Sequence, residues 1–317
     1  MKRLSVPVRT FLTAVFLAAL VPALLMPGCA GKEPGSTSIT KGSFRLGCDE
    51  ALLPVMQHEI REFTGLYTDA KVALRDAEAR EVIAEFAVDS IRTIVCAREL
   101  NKEERDALAA AKVTIQEYLV ARSAVAVIAH KGVPVTELRV GELDSIFSGR
   151  ITHWSGKRGM MIELAVGGLN SSVNEVFRKS ILRGGGFDPA ARSFAASKDL
   201  LSYVSGTPGA LGILGLNWLT GNDGGVNVIS VATSAMRPDS TYAPGAYYSP
   251  HPAYVYQGYY PVIAPVYVYT RNIEQDVSMG FIAFLTSGAG QKVFQNDGLV
   301  PATMPVRLVH LTSQQVN

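Results

Sequence analysis

The sequence has few of the residues from which metal sites and nucleophilic active sites are built. Its five histidines lie far apart and lack the spacing of metal ligands: His58, His130, His153, His251 and His310. No serine, cysteine or lysine stands in a nucleophile motif beside them. A lone histidine is more often a surface or packing residue than a ligand. We therefore predict that the protein is not an enzyme and holds neither a metal ion nor a cofactor.

The chain also lacks an excess of basic charge once its N-terminus is set aside. Residues 1–28 carry Lys2, Arg3 and Arg9 and no acidic residue, so the remaining 27 basic and 28 acidic residues give a net charge of −1. Neither a basic stripe nor a Lys/Arg-rich block with interleaved aromatic residues occurs. This composition argues against a nucleic-acid-binding surface.

The N-terminal residues have the pattern of an export signal. Basic residues precede an apolar run at 11–25, which ends in Met26-Pro27-Gly28-Cys29. The end of this segment resembles a bacterial lipobox, in which Cys29 becomes the lipid-bearing first residue. We predict a signal peptide at 1–28 and a lipid-anchored flexible tether at 29–42, which would place the protein in the cell envelope, facing the periplasm or the cell surface. An ordinary cleaved signal and an uncleaved anchor are the alternatives.

Two cysteines remain if Cys29 carries lipid. Cys48 and Cys96 lie at the ends of apolar runs that are candidates for neighbouring strands. An even number of cysteines in an oxidising compartment is compatible with a disulfide. Two buried free thiols are the alternative, and this is the commoner state of such residues.

Strands and helices alternate along the chain, which predicts a parallel α/β sheet. In such sheets, ligands bind beyond the carboxyl ends of the strands. Asp49 and Glu50 follow the first predicted strand, and Arg98 follows a later one. We predict that all three contact a ligand. For the two carboxylates, the alternative is that they only complement the positive N-terminus of the next helix.

The stretch 162–182 is typical of a strand, a polar glycine-rich loop and a helix. Backbone N–H groups at a helix N-terminus lack intrahelical partners, so a phosphate or carboxylate can bind there. The candidate donors are Asn170, Ser171, Ser172 and Asn174. An alternative is a capping box between Ser172 and Glu175, which would satisfy the same donors internally.

Tyrosines cluster near the end of the chain. Nine of the twelve fall between Tyr242 and Tyr269. The Pro-rich part, 242–261, predicts a long loop that reaches a cleft rim, although its role is open. The alternating pairs predict strands: Tyr254 with Tyr256, and Tyr267 with Tyr269.

Several segments together resemble the solute-binding proteins of phosphate ABC importers. Leu143–Trp154 (LDSIFSGRITHW) is similar to a helix and tryptophan turn of that family, and Pro208–Ile213 (PGALGI) to one of its strands. Phe284–Pro305 is similar to its C-terminal helix and tail, and Asp89–Glu104 to a strand and helix cap of lipid-anchored relatives. The resemblance implies the type II periplasmic-binding-protein fold, in which two α/β domains are joined by two hinge strands and enclose a cleft.

The resemblance also implies boundaries and a function. Domain one would comprise 43–124 plus 262–317 and domain two 125–261, with the crossing strands at 123–129 and 262–270. A monomer would capture phosphate or a related small oxyanion by hinge closure and deliver it to an ABC permease. The alternative is a surface interaction or sensory lipoprotein of the same fold that does not bind phosphate.

The ligand loops depart from the family pattern. The family has an arginine shortly before a Ser-Gly-Thr sequence, whereas 167–173 here reads GGLNSSV. Where the family places an aspartate that accepts a proton from hydrogen phosphate, this chain has Ala97 followed by Arg98. Two ionised carboxylates at positions 49 and 50 would oppose a dianion by several kcal/mol if desolvated.

Overall fold

The computed structural model describes residues 38–155, 159–221, 225–232 and 245–303. The predicted signal peptide, Cys29 and all but the last residues of the tether lie outside these ranges, as do residues 242–244 of the Tyr/Pro-rich segment. No helix within the described ranges is both long and apolar enough to span a bilayer.

The strands of the described residues are β1 (Gly42–Asp49), β2 (Ala70–Ala77), β3 (Thr93–Cys96), β4 (Gln116–His130), β5 (Glu137–Arg139), β6 (Glu163–Gly167), β7 (Arg192–Phe194), β8 (Ala210–Gly215), β9 (Val226–Val228), β10 (Ser230–Ala232), β11 (Tyr247–Tyr248), β12 (Ile263–Thr270) and β13 (Val300–Pro301). The α-helices are α1 (Leu53–Leu66), α2 (Ala79–Ala87), α3 (Lys102–Ala110), α4 (Val140–Phe147), α5 (Ser172–Ser180), α6 (Ser197–Gly206), α7 (Pro252–Gln257), α8 (Val277–Thr286) and α9 (Gly288–Asn296). Two 3₁₀ turns, Glu50–Leu52 and Leu216–Leu219, complete the elements of the described residues.

The main sheet consists of two parallel halves joined through antiparallel strands. Its order is β2-β1-β3-β12-β4-β8-β6-β7. β1 pairs in parallel with β2 and β3, which we call the first half-sheet, and β6 pairs in parallel with β7 and β8, the second half-sheet. β12 and β4 lie between them and run antiparallel to their neighbours. This arrangement confirms the predicted α/β fold with crossing strands.

The long strand β4 links the two half-sheets. Its residues up to Ala124 pair with β12, and those from Val125 to Ala129 pair with β8. The change of partner takes place where Val262, just before β12, accepts a backbone hydrogen bond from Val125. β4 is fully buried from Ser123 to Ala129, because helices and loops cover both faces of the sheet at this point.

The thiols of Cys48 and Cys96 are buried and free, so the possible disulfide is not formed and the alternative of two free thiols is correct. Cys48 lies opposite Val95 in the β1–β3 register, which places Cys96 one residue further along. Successive side chains of a strand point to opposite faces. The two cysteines accordingly belong to different hydrophobic clusters.

The tyrosine predictions are partly wrong. Tyr267 and Tyr269 lie in β12 as predicted, whereas Tyr254 and Tyr256 lie in the helix α7. Pro252 stands at the start of this helix, where proline is favoured, and a ring nitrogen of His251 accepts from the Ala253 N–H. These start signals outweigh a single i, i+2 repeat. The predicted long loop is therefore replaced by β11 and α7 within its described part.

Candidate functional site

Asp49 lies at the carboxyl ends of two neighbouring parallel strands. It is the last residue of β1 and is 1% exposed. Its Oδ1 accepts a hydrogen bond from the Ala51 N–H at 3.2 Å, and its Oδ2 accepts one from the Ala97 N–H, just beyond β3, at 2.9 Å. The carboxylate therefore takes up two backbone donors at the edge of the sheet where the sequence predicted a ligand.

Ser172 brings the second half-sheet to the same point. It is the first residue of α5 and is fully buried. Its hydroxyl is near enough to the Asp49 carboxylate to lower the pKa of that group, although Oγ makes no hydrogen bond of ordinary geometry among the described residues. Burial is the larger effect, so the pKa of Asp49 lies above its usual value.

Two small cavities lie between the half-sheets. One is lined by three carboxylates, of Asp49, Glu50 and Glu78, together with the loop at Gly167 and Gly168. The other is lined by Ala51, Ala97, Ser123 and Ser172. Each has a volume of about 10 Å³, which is room for about one water molecule. The Ser123 hydroxyl is also buried and has no partner among the described residues.

Glu50 connects the half-sheets directly. Its two carboxylate oxygens accept hydrogen bonds from the N–H and the hydroxyl of Ser197, both at 2.8 Å. Ser197 is the first residue of α6, so Glu50 satisfies an N–H that has no partner within the helix. Burial raises the pKa of Glu50 to about 7, and the nearby Asp49 charge adds to this rise, although the two bonds from Ser197 oppose it.

Glu50→Gln is expected to reduce the dependence of stability on pH. The pKa of Glu50 is about 7 in the folded protein and about 4.5 without the fold. The folded state therefore binds the proton more tightly, and this group's contribution to stability is lost as the pH rises from about 4.5 through about 7. The melting temperature should fall less between about pH 5 and about pH 8 in the variant than in the wild type. The control is Glu103→Gln at an exposed position of α3. Equal slopes in wild type and Glu50→Gln would contradict the assignment.

Glu78 makes a second connection. It precedes α2 and accepts a hydrogen bond from the Asn170 N–H at 3.0 Å, while the Arg80 N–H donates to the Asn170 carbonyl at 3.2 Å. Its other oxygen, Oε1, is buried without a partner among the described residues. Burial raises the pKa of Glu78. Both backbone groups of the predicted ligand residue Asn170, its N–H and its carbonyl, are therefore hydrogen-bonded to residues that follow β2 of the first half-sheet.

Arg98 pairs with carboxylates from both halves of the molecule. Its guanidinium donates to the two oxygens of Glu104 at 2.8 and 2.6 Å, and its Nε lies 3.2 Å from Oε2 of Glu175. The side chain is 4% exposed. Arg98 therefore holds α5 against the start of α3, and its role in contacting a ligand stays a prediction.

The capping-box alternative for Ser172 and Glu175 is wrong. Helix α5 begins at Ser172, so Ser171 is the N-cap residue and its side chain makes no cap hydrogen bond. Glu175 is then one position too far along the helix for a capping box. It pairs with Arg98 and, at 3.5 Å, with Arg80.

Asn174 stabilises the loop before α5 and does not point to an open space. Its Nδ2 donates to the carbonyls of Gly167 and Gly168, and its Oδ1 accepts from the Gly167 N–H at 3.0 Å. Ser171 lines the first small cavity. Of the predicted residues, the structure brings together Asp49, Glu50, Asn170, Ser171 and Ser172, whereas Arg98 and Asn174 serve ion pairing and loop structure.

A larger groove of about 730 Å³ lies beside the Arg98–Glu175 pair. It is lined from α3 by Lys102, from α5 by Lys179, and from β12 by Ile263 and Pro265. Among the described residues, no group of three His, Cys, Asp or Glu side chains is placed to hold a metal ion.

Sequence reasoning missed Glu78, Ser123 and Ser197 as site residues. Glu78 follows the carboxyl end of β2, so the rule that led to Asp49 applies to it as well. Ser197 had no such signal, because its position depends on how α6 packs against the first half-sheet. Ser123 lies within the crossing strand β4, and the only sequence signal for a site residue there is a hydroxyl group among apolar neighbours.

The fold defines a class, the type II periplasmic-binding proteins. A family model described as a PBP superfamily domain matches residues 34–289, and the chain belongs to this family. No curated protein matches the chain at a significant level.

Solved structures share the fold at low sequence identity. A phosphate ABC transporter substrate-binding protein with bound phosphate from Clostridium perfringens is 20% identical, with a TM-score of 0.70 over 82% of this chain and 100% of that one. An ABC-type phosphate transport receptor from Vibrio cholerae is 18% identical, with a TM-score of 0.62 over 83% of this chain and 100% of that one. A phosphate-binding protein from Stenotrophomonas maltophilia is 12% identical, with a TM-score of 0.60 over 82% and 90%. These comparisons confirm the predicted fold and the predicted family resemblance.

Proposed function

We propose that the chain is the solute-binding protein of an ABC importer and captures phosphate or a related small oxyanion between its half-sheets. Family membership and the fold it shares with phosphate-binding proteins support a carrier of this kind. The observation that carries the choice of an anion is the cluster of donors at one point: the N–H groups of Ala51 and Ala97 and the unpartnered hydroxyls of Ser123 and Ser172.

In this proposal the solute enters when the half-sheets separate and is enclosed when they close. Closure excludes water and strengthens each charge-assisted hydrogen bond to the anion. The change of partner in β4 at Ala124 and Val125 supports a hinge there. It is also consistent with the proposed domains, 43–124 plus 262–317 and 125–261.

The rest of the proposal concerns location and partners. We infer a signal peptide at 1–28, a lipid on Cys29, a monomer tethered to the membrane in the cell envelope, and a permease as the receiving partner. The sequence pattern at the N-terminus supports this. Mass spectrometry of the membrane-bound form should find a lipidated N-terminal Cys29, and Cys29→Ser should abolish that modification.

Calorimetric titration of the mature protein tests the function. The panel consists of phosphate, sulfate, a phosphonate and small carboxylates. At least one oxyanion should give heat of binding and raise the melting temperature, because a ligand that binds only the folded state stabilises it by RT ln(1 + [L]/Kd). Silence towards the entire panel in both measurements would contradict the proposal.

A second candidate is a surface interaction or sensory protein of the same fold that binds no phosphate. Two observations motivate it: the donors at Ala51 and Ala97 are already used by Asp49, and the adjoining cavity holds about one water molecule. Small-angle scattering separates the two candidates. A solute carrier should become more compact with its ligand, whereas this alternative should be unchanged across the panel.

A further inference from the structure

We propose that Asp49 is a built-in anion that competes with the solute for the donors of the cleft, and that it sets the affinity of this protein for small oxyanions. The inference rests on the proposed function, because the donors for which Asp49 competes are those proposed to hold the solute.

Asp49 already occupies two backbone donors of the proposed binding site. Asp49 is buried, and each of its carboxylate oxygens accepts one backbone N–H, from Ala51 and from Ala97. These are the donors that the carboxyl ends of β1 and β3 offer to a ligand. The cavity beside them holds about one water molecule, and a phosphate or sulfate ion is much larger than that. An oxyanion can therefore reach these amides only after the Asp49 side chain has turned away.

The carboxyl groups around the small cavity oppose the entry of an anion. Glu50 and Glu78 line the same small cavity as Asp49, so an entering anion meets three carboxyl groups. Arg98 is the cation whose charge acts on Asp49, but its guanidinium is already bound to Glu104 and Glu175. Negative charge near an anion in a desolvated site opposes binding. When the Asp49 side chain turns away, the carboxylate closest to the two amides no longer repels the anion.

The two half-sheets are held together without a solute. Glu50 reaches Ser197, and Glu78 reaches the Asn170 N–H, so side chains of the first half-sheet already connect the two halves. The buried hydroxyls of Ser123 and Ser172 remain without a full hydrogen bond among the described residues. They are donors that a solute would use once Asp49 leaves.

The energetic consequence follows from the population of the open site. The apparent dissociation constant equals the intrinsic one divided by the fraction of molecules whose site is free. If Asp49 is turned away in about 1% of molecules, the affinity is weakened about 100-fold. Removing the carboxylate should restore that factor.

Calorimetry with inorganic phosphate and with sulfate at neutral pH tests the proposal on three proteins. Asp49→Ser should bind at least one of these anions about 100-fold more tightly than the wild type. Serine is itself a good N-cap residue, so its hydroxyl can accept the Ala51 N–H and keep the turn at Glu50–Leu52, but it has no second oxygen for the Ala97 N–H, which becomes free for the anion. The matched control is Asp76→Asn, which removes one exposed charge that acts on Glu50 but leaves the amides occupied. Its affinities should equal those of the wild type.

Circular dichroism and the melting temperature establish that each variant is folded. Equal affinity in folded Asp49→Ser and in the wild type overturns the inference. If the wild type then still binds another member of the panel, the proposed function survives while the role of Asp49 does not. Binding by Asp49→Ser alone supports the role of Asp49 and contradicts phosphate or sulfate as the natural solute.

A measurement on the unaltered side chain covers the case in which Asp49→Ser does not fold. Acid neutralises Asp49, whose pKa is raised by burial, and weakens its hold on the two amides. Sulfate keeps its charge over this range, so its affinity should rise as the pH falls. The titration is carried out in the wild type and in Glu50→Gln, because Glu50 and Glu78 face the same cavity and titrate in the same direction. A sulfate affinity that does not change with pH in either protein overturns the inference.

Discussion

Glu59→Met is expected to raise the free energy of unfolding at pH 7 by about 3 kcal/mol. Glu59 lies on the buried face of α1, is fully buried, and neither of its carboxylate oxygens has a partner among the described residues. Burial raises its pKa to about 9, and the charges of Asp297 and Glu62 add to this rise. Asp297 is itself paired with His58 at 2.7 Å.

The direction and magnitude of this change in the free energy of unfolding follow from the linkage between folding and proton binding. In the unfolded chain Glu59 titrates near its ordinary value of 4.5, so at pH 7 folding requires the uptake of a proton. The stability of the wild type is therefore lost as the pH rises from about 4.5 to about 9, at about 1.4 kcal/mol per pH unit. Methionine is similar in length, does not titrate and leaves no polar atom unsatisfied.

Urea unfolding at about pH 5, 7 and 9 measures the effect. The gain from Glu59→Met should increase with pH. Gln57→Met at an exposed, uncharged position of the same helix is the control and should change the unfolding free energy by no more than about 0.5 kcal/mol. A gain that is the same at all three pH values would show that Glu59 does not hold a proton in the folded protein.

Arg98→Met is expected to lower the free energy of unfolding by about 3 to 5 kcal/mol. The substitution leaves Glu104 and Glu175 close together without the cation that both contact. Removing one partner of a buried ion pair leaves an uncompensated charge, which costs far more than the pair itself contributes. Because Glu175 belongs to α5 and Glu104 to α3, the loss should also loosen the contact between the two halves.

The neighbouring arginine provides a matched control. Arg105 also pairs with both oxygens of one carboxylate, that of Glu117, but these side chains are 42% and 31% exposed. Exposed pairs are worth about 0 to 1 kcal/mol, so Arg105→Met should have a small effect. Similar losses in the two variants would mean that the environment of Arg98 is not desolvated.

The fold was largely predictable because periodicity and strand order reflect burial. Runs such as β3 and the second part of β4 are apolar since both faces of the sheet are covered, and the resemblance of short segments added the arrangement of the two halves. The prediction that Asp49 and Glu50 stand at the carboxyl end of the first parallel strand is confirmed by the end of β1 at Asp49, whereas their contact with a ligand stays a prediction.

The partners of these side chains were not predictable. Helix α5 has Ser171 as its N-cap residue, one position before the predicted Ser172, and Glu175 pairs with Arg98 instead of closing a capping box. On α1, Glu59 packs inside with Met56 and Phe63, although its residue type predicts an exposed position. Such choices depend on side-chain directions and on packing between distant segments, which no local pattern contains.

We expect the carboxylate of Asp49 to occupy the proposed anion position of the solute-free cleft. A crystal structure of the mature protein, grown and washed without phosphate or sulfate, tests it most directly. The Asp49 Oδ2 atom should lie within hydrogen-bond distance of the Ala97 N–H, near 2.9 Å, with no bound ion on the Ala51 and Ala97 amides. Asp49 turned towards solvent, with an open cleft or an ordered anion on those amides, would contradict it.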